Sequence, residues 1–197
     1  MDAVMLHDPS PLSRASSKGH VEVVRALLAA GAAVDLDTPS PLWMASLVGH
    51  VKVVRELLAV GAVVDPATPG HHSPLSMASS GGHVEVVRAL LAAGAAMDVV
   101  SLNDPSPLSR ASNKGHVEVV RALLAAGAAV DLDTPSPLWM ASLEGHVEVV
   151  RELLAAGAAV DPATPDHRSP LSMASSGGHV EVVHALLAAG ATVDHAE

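Results

Sequence analysis

The 197-residue chain contains no cysteine. It therefore has no disulfide framework, no thiolate zinc site and no cysteine nucleophile, which fits a reducing compartment. Phe and Tyr are absent too, and only two Trp occur. A core must then be assembled from Leu, Val and Ala, with Ala letting helices approach closely. Long apolar runs are missing: Ala26 to Val34 spans nine residues, about half of what crosses a bilayer. Nor does the N-terminus carry the basic-then-apolar order of a secretion signal. The expected setting is the cytoplasm or nucleus, without secretion or membrane binding.

Basic side chains are also few, 11 Lys and Arg against 21 Asp and Glu, for a net charge of −10. The imbalance is concentrated in one half. Residues 1–96 hold six basic and eight acidic side chains, net −2, whereas 97–197 hold five and thirteen, net −8. Binding to nucleic acid is driven by Lys and Arg displacing counterions from phosphates, and an acidic surface opposes it. Nucleic acid and anionic membranes are excluded as expected partners. The acidity keeps an Ala-rich chain soluble, and a basic region of a partner facing the second half is the sharper reading.

What the chain does have is repetition. Ser-Pro-Leu triplets begin at Ser10, Ser40, Ser73, Ser106, Ser136 and Ser169, spaced by 30, 33, 33, 30 and 33 residues. A longer period lies on top of this one. Residues 1–96 laid over 97–192 differ at only 12 positions, so a three-repeat block is written twice. Periods of this length indicate a solenoid, in which each repeat buries its apolar side against its neighbours. One elongated domain over 1–197 is expected, rather than a globule with a single core.

Within a repeat the pattern predicts two short helices. Ser10 can cap a helix with its hydroxyl, and Pro11 follows where a missing N–H costs nothing, opening a first helix over roughly 11–17. Gly19 and His20 break it. Val21, Val24, Leu27 and Leu28 then recur at helical spacing, with Glu22, Arg25 and Ala29 on the other side. Gly31 suits the left-handed C-cap of this second helix, and Asp35-Leu36-Asp37-Thr38-Pro39 has the composition of a turn.

The string SPLSRASSKGHVEVVRALLAAGAAVD, from Ser10 to Asp35, resembles the ankyrin repeat in its opening triplet, its Gly-His between helices and its Val-Val and Leu-Leu pairs. The resemblance covers all six repeats. It implies an all-α solenoid of stacked helix-turn-helix units joined by hairpin-like connectors, serving as a protein-binding scaffold without catalysis or cofactor. The chain departs from the family pattern in three places. The opening His is replaced by Ser13, Ser76, Ser109 and Ser172, and by Trp43 and Trp139. The close reads Gly-Ala-Ala-Val-Asp, without the aspartate that helps order the family's turn. Two repeats are three residues short, and the shortening is expected in the connectors.

The same resemblance implies a concave surface lined by first helices, with contact positions just before Gly-His. The residue three or four positions earlier shares that helix face. Along the chain these positions read as a basic step (Arg14, Ser17, Lys18), an apolar step (Met44, Leu47, Val48) and a small step (Met77, Ser80, Gly81). The second block repeats them as Arg110, Asn113 and Lys114; Met140, Leu143 and Glu144; Met173, Ser176 and Gly177. Trp43 and Trp139 precede the two apolar steps. Partly exposed Trp and Met are enriched where proteins bind one another. The expected partner-contact residues are therefore Trp43, Met44, Leu47, Val48, Trp139, Met140, Leu143 and Glu144, with Arg14, Lys18, Arg110 and Lys114 on the basic steps. The competing expectation has each Trp covering the shortened connector that follows it, with Met as a packing residue. Between blocks Val48 becomes Glu144 and Lys52 becomes Glu148, so the two apolar steps are not equivalent.

Twelve histidines invite a metal reading. Six of them, His20, His50, His83, His116, His146 and His179, fill the Gly-His slot, where a bond to backbone at the helix turn is expected. His71-His72 is the only adjacent pair, its counterpart is His167-Arg168, and zinc needs further ligands. Asp35-Leu36-Asp37 and Asp131-Leu132-Asp133 open like a calcium loop but lack its glycine and closing glutamate. No metal and no cofactor are expected. Ser and His recur identically in every repeat, so no nucleophile is distinguished by its own base and orienting acid, and Ser79-Ser80-Gly81-Gly82 lacks the lysine of a phosphate loop.

The alternative to an interaction module is a structural stack, recently duplicated or engineered, without a dedicated partner. The outer repeats carry few polar replacements, chiefly His184, Thr192 and the closing His195-Ala196-Glu197. End-to-end association of copies, or a longer array, is the corresponding expectation.

Overall fold

A computed structural model describes residues 9–65, 73–98, 105–161 and 169–193. Among these residues the chain forms twelve helices and no strand. The first helices of the repeats are α1 (Pro11–Ser17), α3 (Pro41–Val48), α5 (Pro74–Ser80), α7 (Pro107–Asn113), α9 (Pro137–Glu144) and α11 (Pro170–Gly177). The second helices are α2 (Val21–Ala29), α4 (Val51–Ala59), α6 (Val84–Ala92), α8 (Val117–Ala125), α10 (Val147–Ala155) and α12 (Val180–Ala188).

Each first helix begins as its Ser-Pro dictates. The hydroxyls of Ser10, Ser40, Ser73, Ser106, Ser136 and Ser169 accept from the backbone N–H three residues on, at 3.1–3.2 Å. One otherwise orphaned donor is thereby satisfied at each start. Gly31 takes φ +83° beyond α2, the conformation expected of it.

First helices pack on first helices, second on second, and each pair packs internally. The buried positions follow from this. Leu42, Leu75 and Leu138 of the first row are fully covered, as are Leu57, Leu90, Leu123 and Leu153 of the second. The second helices bury more than the amphipathic stripe read from sequence. Both members of each inner Val-Val pair are covered, Val53 with Val54, Val86 with Val87, Val119 with Val120 and Val149 with Val150. A helix flanked by neighbours on two sides has two apolar edges.

Five histidines of the Gly-His slot bond backbone at a helix turn, as expected, and the turn is that of the preceding repeat, so the bonds join repeats. The Nε2 atoms of His50, His83, His116, His146 and His179 lie 3.0–3.2 Å from the carbonyl oxygens of Ser17, Leu47, Ser80, Asn113 and Leu143, each on the preceding repeat's first helix or its end. A second ladder runs through the aspartates that close each repeat. Asp35, Asp65, Asp98, Asp131 and Asp161 accept from the backbone N–H of Val63, Ala96, Ala129, Ala159 and Thr192 at 2.8–3.2 Å. Asp35 and Asp131 thus act between connectors, beyond the turn-forming role expected of them.

The shortened connectors precede the Trp-bearing helices rather than follow them. Asp37, in the first, accepts from both the Ser10 N–H and hydroxyl and from the Ser13 hydroxyl. Asp133 does the same for Ser106 and Ser109. Serine at the position where the family has His is therefore used to anchor the short connector. The Thr38–Pro39 and Thr134–Pro135 peptide bonds in these connectors are cis.

Candidate partner-binding surface

Helices α3 and α9 turn one face inward and one outward. In α3, Pro41, Leu42, Ala45 and Ser46 are buried, while Trp43 and Met44 are half-buried and Leu47 and Val48 are 40% and 48% exposed. In α9 the same inner positions are buried, Trp139, Met140 and Leu143 are half-buried, and Glu144 is exposed. The i, i+3, i+4 spacing explains the shared face. Each Trp is thus neither fully buried nor fully in solvent.

The basic steps lie on the same outward face. Arg14 of α1 and Lys18 after it are exposed, as is Lys114 after α7, whereas Arg110 is half-buried. The Arg14 Nε donates to the Pro9 carbonyl at 3.0 Å. The small steps differ from the pattern read in sequence, since Met77 and Met173 are buried at 7% and 8% exposure and serve packing.

At the joint between the two blocks, residues of neighbouring steps meet around one cavity of about 150 Å³, lined by Ser80, Pro105, Ser109, Arg110, Asn113, Lys114 and Met140. The Asn113 amide approaches the Met140 sulfur at 3.7 Å across it. A basic step and the following apolar step therefore share one depression.

The description "Ankyrin repeats (3 copies)" belongs to a family model that matches residues 2–68, 63–134 and 109–196. The chain belongs to the ankyrin repeat family. The human ASB11 ankyrin repeat domain is similar to it at 34% identity and a TM-score of 0.88, over 95% of this chain and 86% of that one. An ankyrin repeat domain from Acinetobacter baumannii AYE is similar at 28% identity and a TM-score of 0.82, over 94% of this chain and 100% of that one. No curated protein matches the sequence. Ankyrin repeats are generally protein-interaction scaffolds, and the fold is a non-catalytic one.

Electrostatics in this ankyrin array is mostly an exposed Arg–Glu pattern on the second helices. Arg25 of α2 bonds both Glu22 and Glu56 of α4, and Arg121 of α8 bonds both Glu118 and Glu152 of α10. The hydrogen bond from Arg25 holds Glu56 below the usual carboxylate range, and its partners push Arg25 up. Exposed pairs of this kind contribute little to stability. On the connector side, burial pushes the Asp37 carboxyl up, but the Ser10 and Ser13 hydroxyls and the Ser10 amide outweigh it and hold the group below its ordinary value.

Among the described residues no cluster of three His, Asp or Glu side chains is arranged to hold a metal. Nor is any described helix long and apolar enough to cross a membrane. His71-His72 and His167-Arg168 lie outside the described residues. Sequence reading missed the joint cavity and both inter-repeat ladders. The Gly-His and Val-Asp repeats were visible, but nothing local says which distant group each side chain meets.

Proposed function

We propose that residues 1–197 act as one elongated ankyrin domain that binds a protein partner across the outward face of its first helices, without catalysis. Trp43, Met44, Leu47 and Val48 supply the main apolar contact. Trp139, Met140, Leu143 and Glu144 supply a second one, altered by its carboxylate. Arg14, Lys18, Arg110 and Lys114 hold acidic groups of the partner beside them. The observation that carries this reading is the exposure of Leu47 and Val48, 40% and 48%, next to a half-buried Trp and Met. Apolar patches rimmed by polar groups mark sites where proteins meet. The net charge of −10 supports a protein rather than a nucleic acid or anionic membrane as partner, and the compartment in this reading is the cytoplasm or nucleus.

The test is selection of binding peptides from a random library on the wild-type chain, followed by titration against Trp43→Ala and Leu47→Asp variants. Circular dichroism should stay unchanged while the selected peptides lose about tenfold or more in affinity. Peptides that bind both variants as well as wild type would place recognition elsewhere.

A further inference from the structure

The outer faces of the first and last described helix pairs are two halves of an interface that the chain already forms internally. On the second helices, the Val53, Val86, Val119, Val149 and Val182 positions are all at most 1% exposed, yet their counterpart Val23 is 49% exposed. Leu27 follows it, only partly buried where Leu57, Leu90, Leu123, Leu153 and Leu186 are fully covered. This edge is normally covered by the preceding repeat. The opposite edge behaves in the mirror sense. Val24, Val54, Val87, Val120 and Val150 are at 0% exposure while Val183 is only partly buried, and Leu187 and Val180 are 41% and 56% exposed. Ser172 and Ser175 of α11 are likewise exposed where Ser76 and Ser79 of α5 are buried.

The duplication makes these halves complementary. The inner joint between α5/α6 and α7/α8 is built from residues 73–97 and 105–130. Shifted by 96 positions, these become 169–193 and 9–34, and only Arg88/His184, Ala96/Thr192, Met97/Val193 and Asn113/Ser17 differ. At the inner joint the His116 ring lies over Gly82, where an added Cβ would sit 2.7 Å from its Nδ1, and its Nε2 meets the Ser80 carbonyl at 3.0 Å. The counterparts are His20, Gly178 and Ser176. His20 is exposed, and no described atom comes within 4 Å of the same point over Gly178.

We propose that the 197-residue chain docks head to tail on a second copy of itself, α1 and α2 of one molecule seating on α11 and α12 of the other as α7 and α8 seat on α5 and α6. The His20 ring lies over Gly178 of the neighbouring copy and bonds the Ser176 carbonyl. The contact is heterologous and translates rather than closes, so each added copy presents the same two faces again and the assembly is open-ended. It uses neither Trp43 nor Leu47.

The experiment is sedimentation velocity of the wild-type chain at physiological salt over about a hundredfold dilution range. Average mass should rise with concentration, without a plateau at the dimer. Val23→Lys spoils one face and Leu187→Lys the other, and both sites are already solvent-accessible, so circular dichroism should be unchanged. Each variant alone should sediment as a monomer, while an equimolar mixture should give a 1:1 dimer and nothing larger, since one good face remains on each. A second pair, Val23→Glu with Leu187→Glu, repeats the test with the opposite charge. Monomeric wild type throughout, or variants that still associate alone, or a mixture that stays monomeric, would overturn the proposal.

Discussion

The imidazole Nε2 of His116 lies 3.0 Å from the carbonyl oxygen of Ser80, one repeat earlier. That carbonyl, at the end of α5, belongs to the group of helix-end acceptors that have no partner within their own helix. The bond needs a protonated Nε2, so the ring donates. His116→Ala should cost about 1–2 kcal/mol, the loss of a partly buried hydrogen bond that leaves its acceptor unpaired. Chemical denaturation checks this. The matching His20→Ala, at an exposed ring, should leave the stability of the dilute chain unchanged.

Gly82 lies beneath the same ring. Its φ is +72°, and a Cβ there would stand 2.7 Å from His116 Nδ1. Gly31 has φ +83° but no described atom within 4 Å of its Cβ position. Gly31→Ala should therefore cost only the left-handed strain, about 1–2 kcal/mol, while Gly82→Ala adds the displaced histidine bond and should cost about 1 kcal/mol more. Equal midpoints for the two variants would show that the ring yields freely.

Ser112 offers a change in the other direction. Its hydroxyl is fully buried and has no hydrogen-bond partner among the described residues, whereas Ser46 at the equivalent position donates to the Leu42 carbonyl at 2.7 Å. Removing an unsatisfied hydroxyl from a helix interior, and replacing it with the best helix former, should raise stability by about 0.5–1 kcal/mol. Thermal unfolding of Ser112→Ala should show the gain, and Ser46→Ala should show less of it.

Asp37 gives the array an acid limit. Its folded carboxyl titrates below the ordinary value because of the Ser10 and Ser13 bonds that outweigh its burial. A depressed carboxyl stabilises fully above the unfolded value, about 3.9 for Asp, and the contribution fades as pH falls through the lower folded value. Denaturation midpoints of wild type should therefore drop below about pH 4. Asp37→Asn should lower stability at neutral pH and flatten the acid limb. Urea unfolding between pH 7 and pH 2.5 measures both.

Much of this molecule was settled by the sequence alone. Helix starts at Ser10 and its five counterparts, helix breaks at Gly-His, and the six-unit register all depend on interactions within four residues, and such interactions are legible in a string. The repeat length and the Leu and Val pairs then admit only a stack. What the tertiary structure decided is everything that reaches from one repeat into the next. His116 finds Ser80 across 36 positions, Asp35 finds Val63 across 28, and Val53 is buried where the identical Val23 is not. Each of these depends on which neighbour stands alongside, and the same local letters give opposite burial according to whether one is there. The half-buried state of Trp43 beside the exposed Leu47 belongs to this second class.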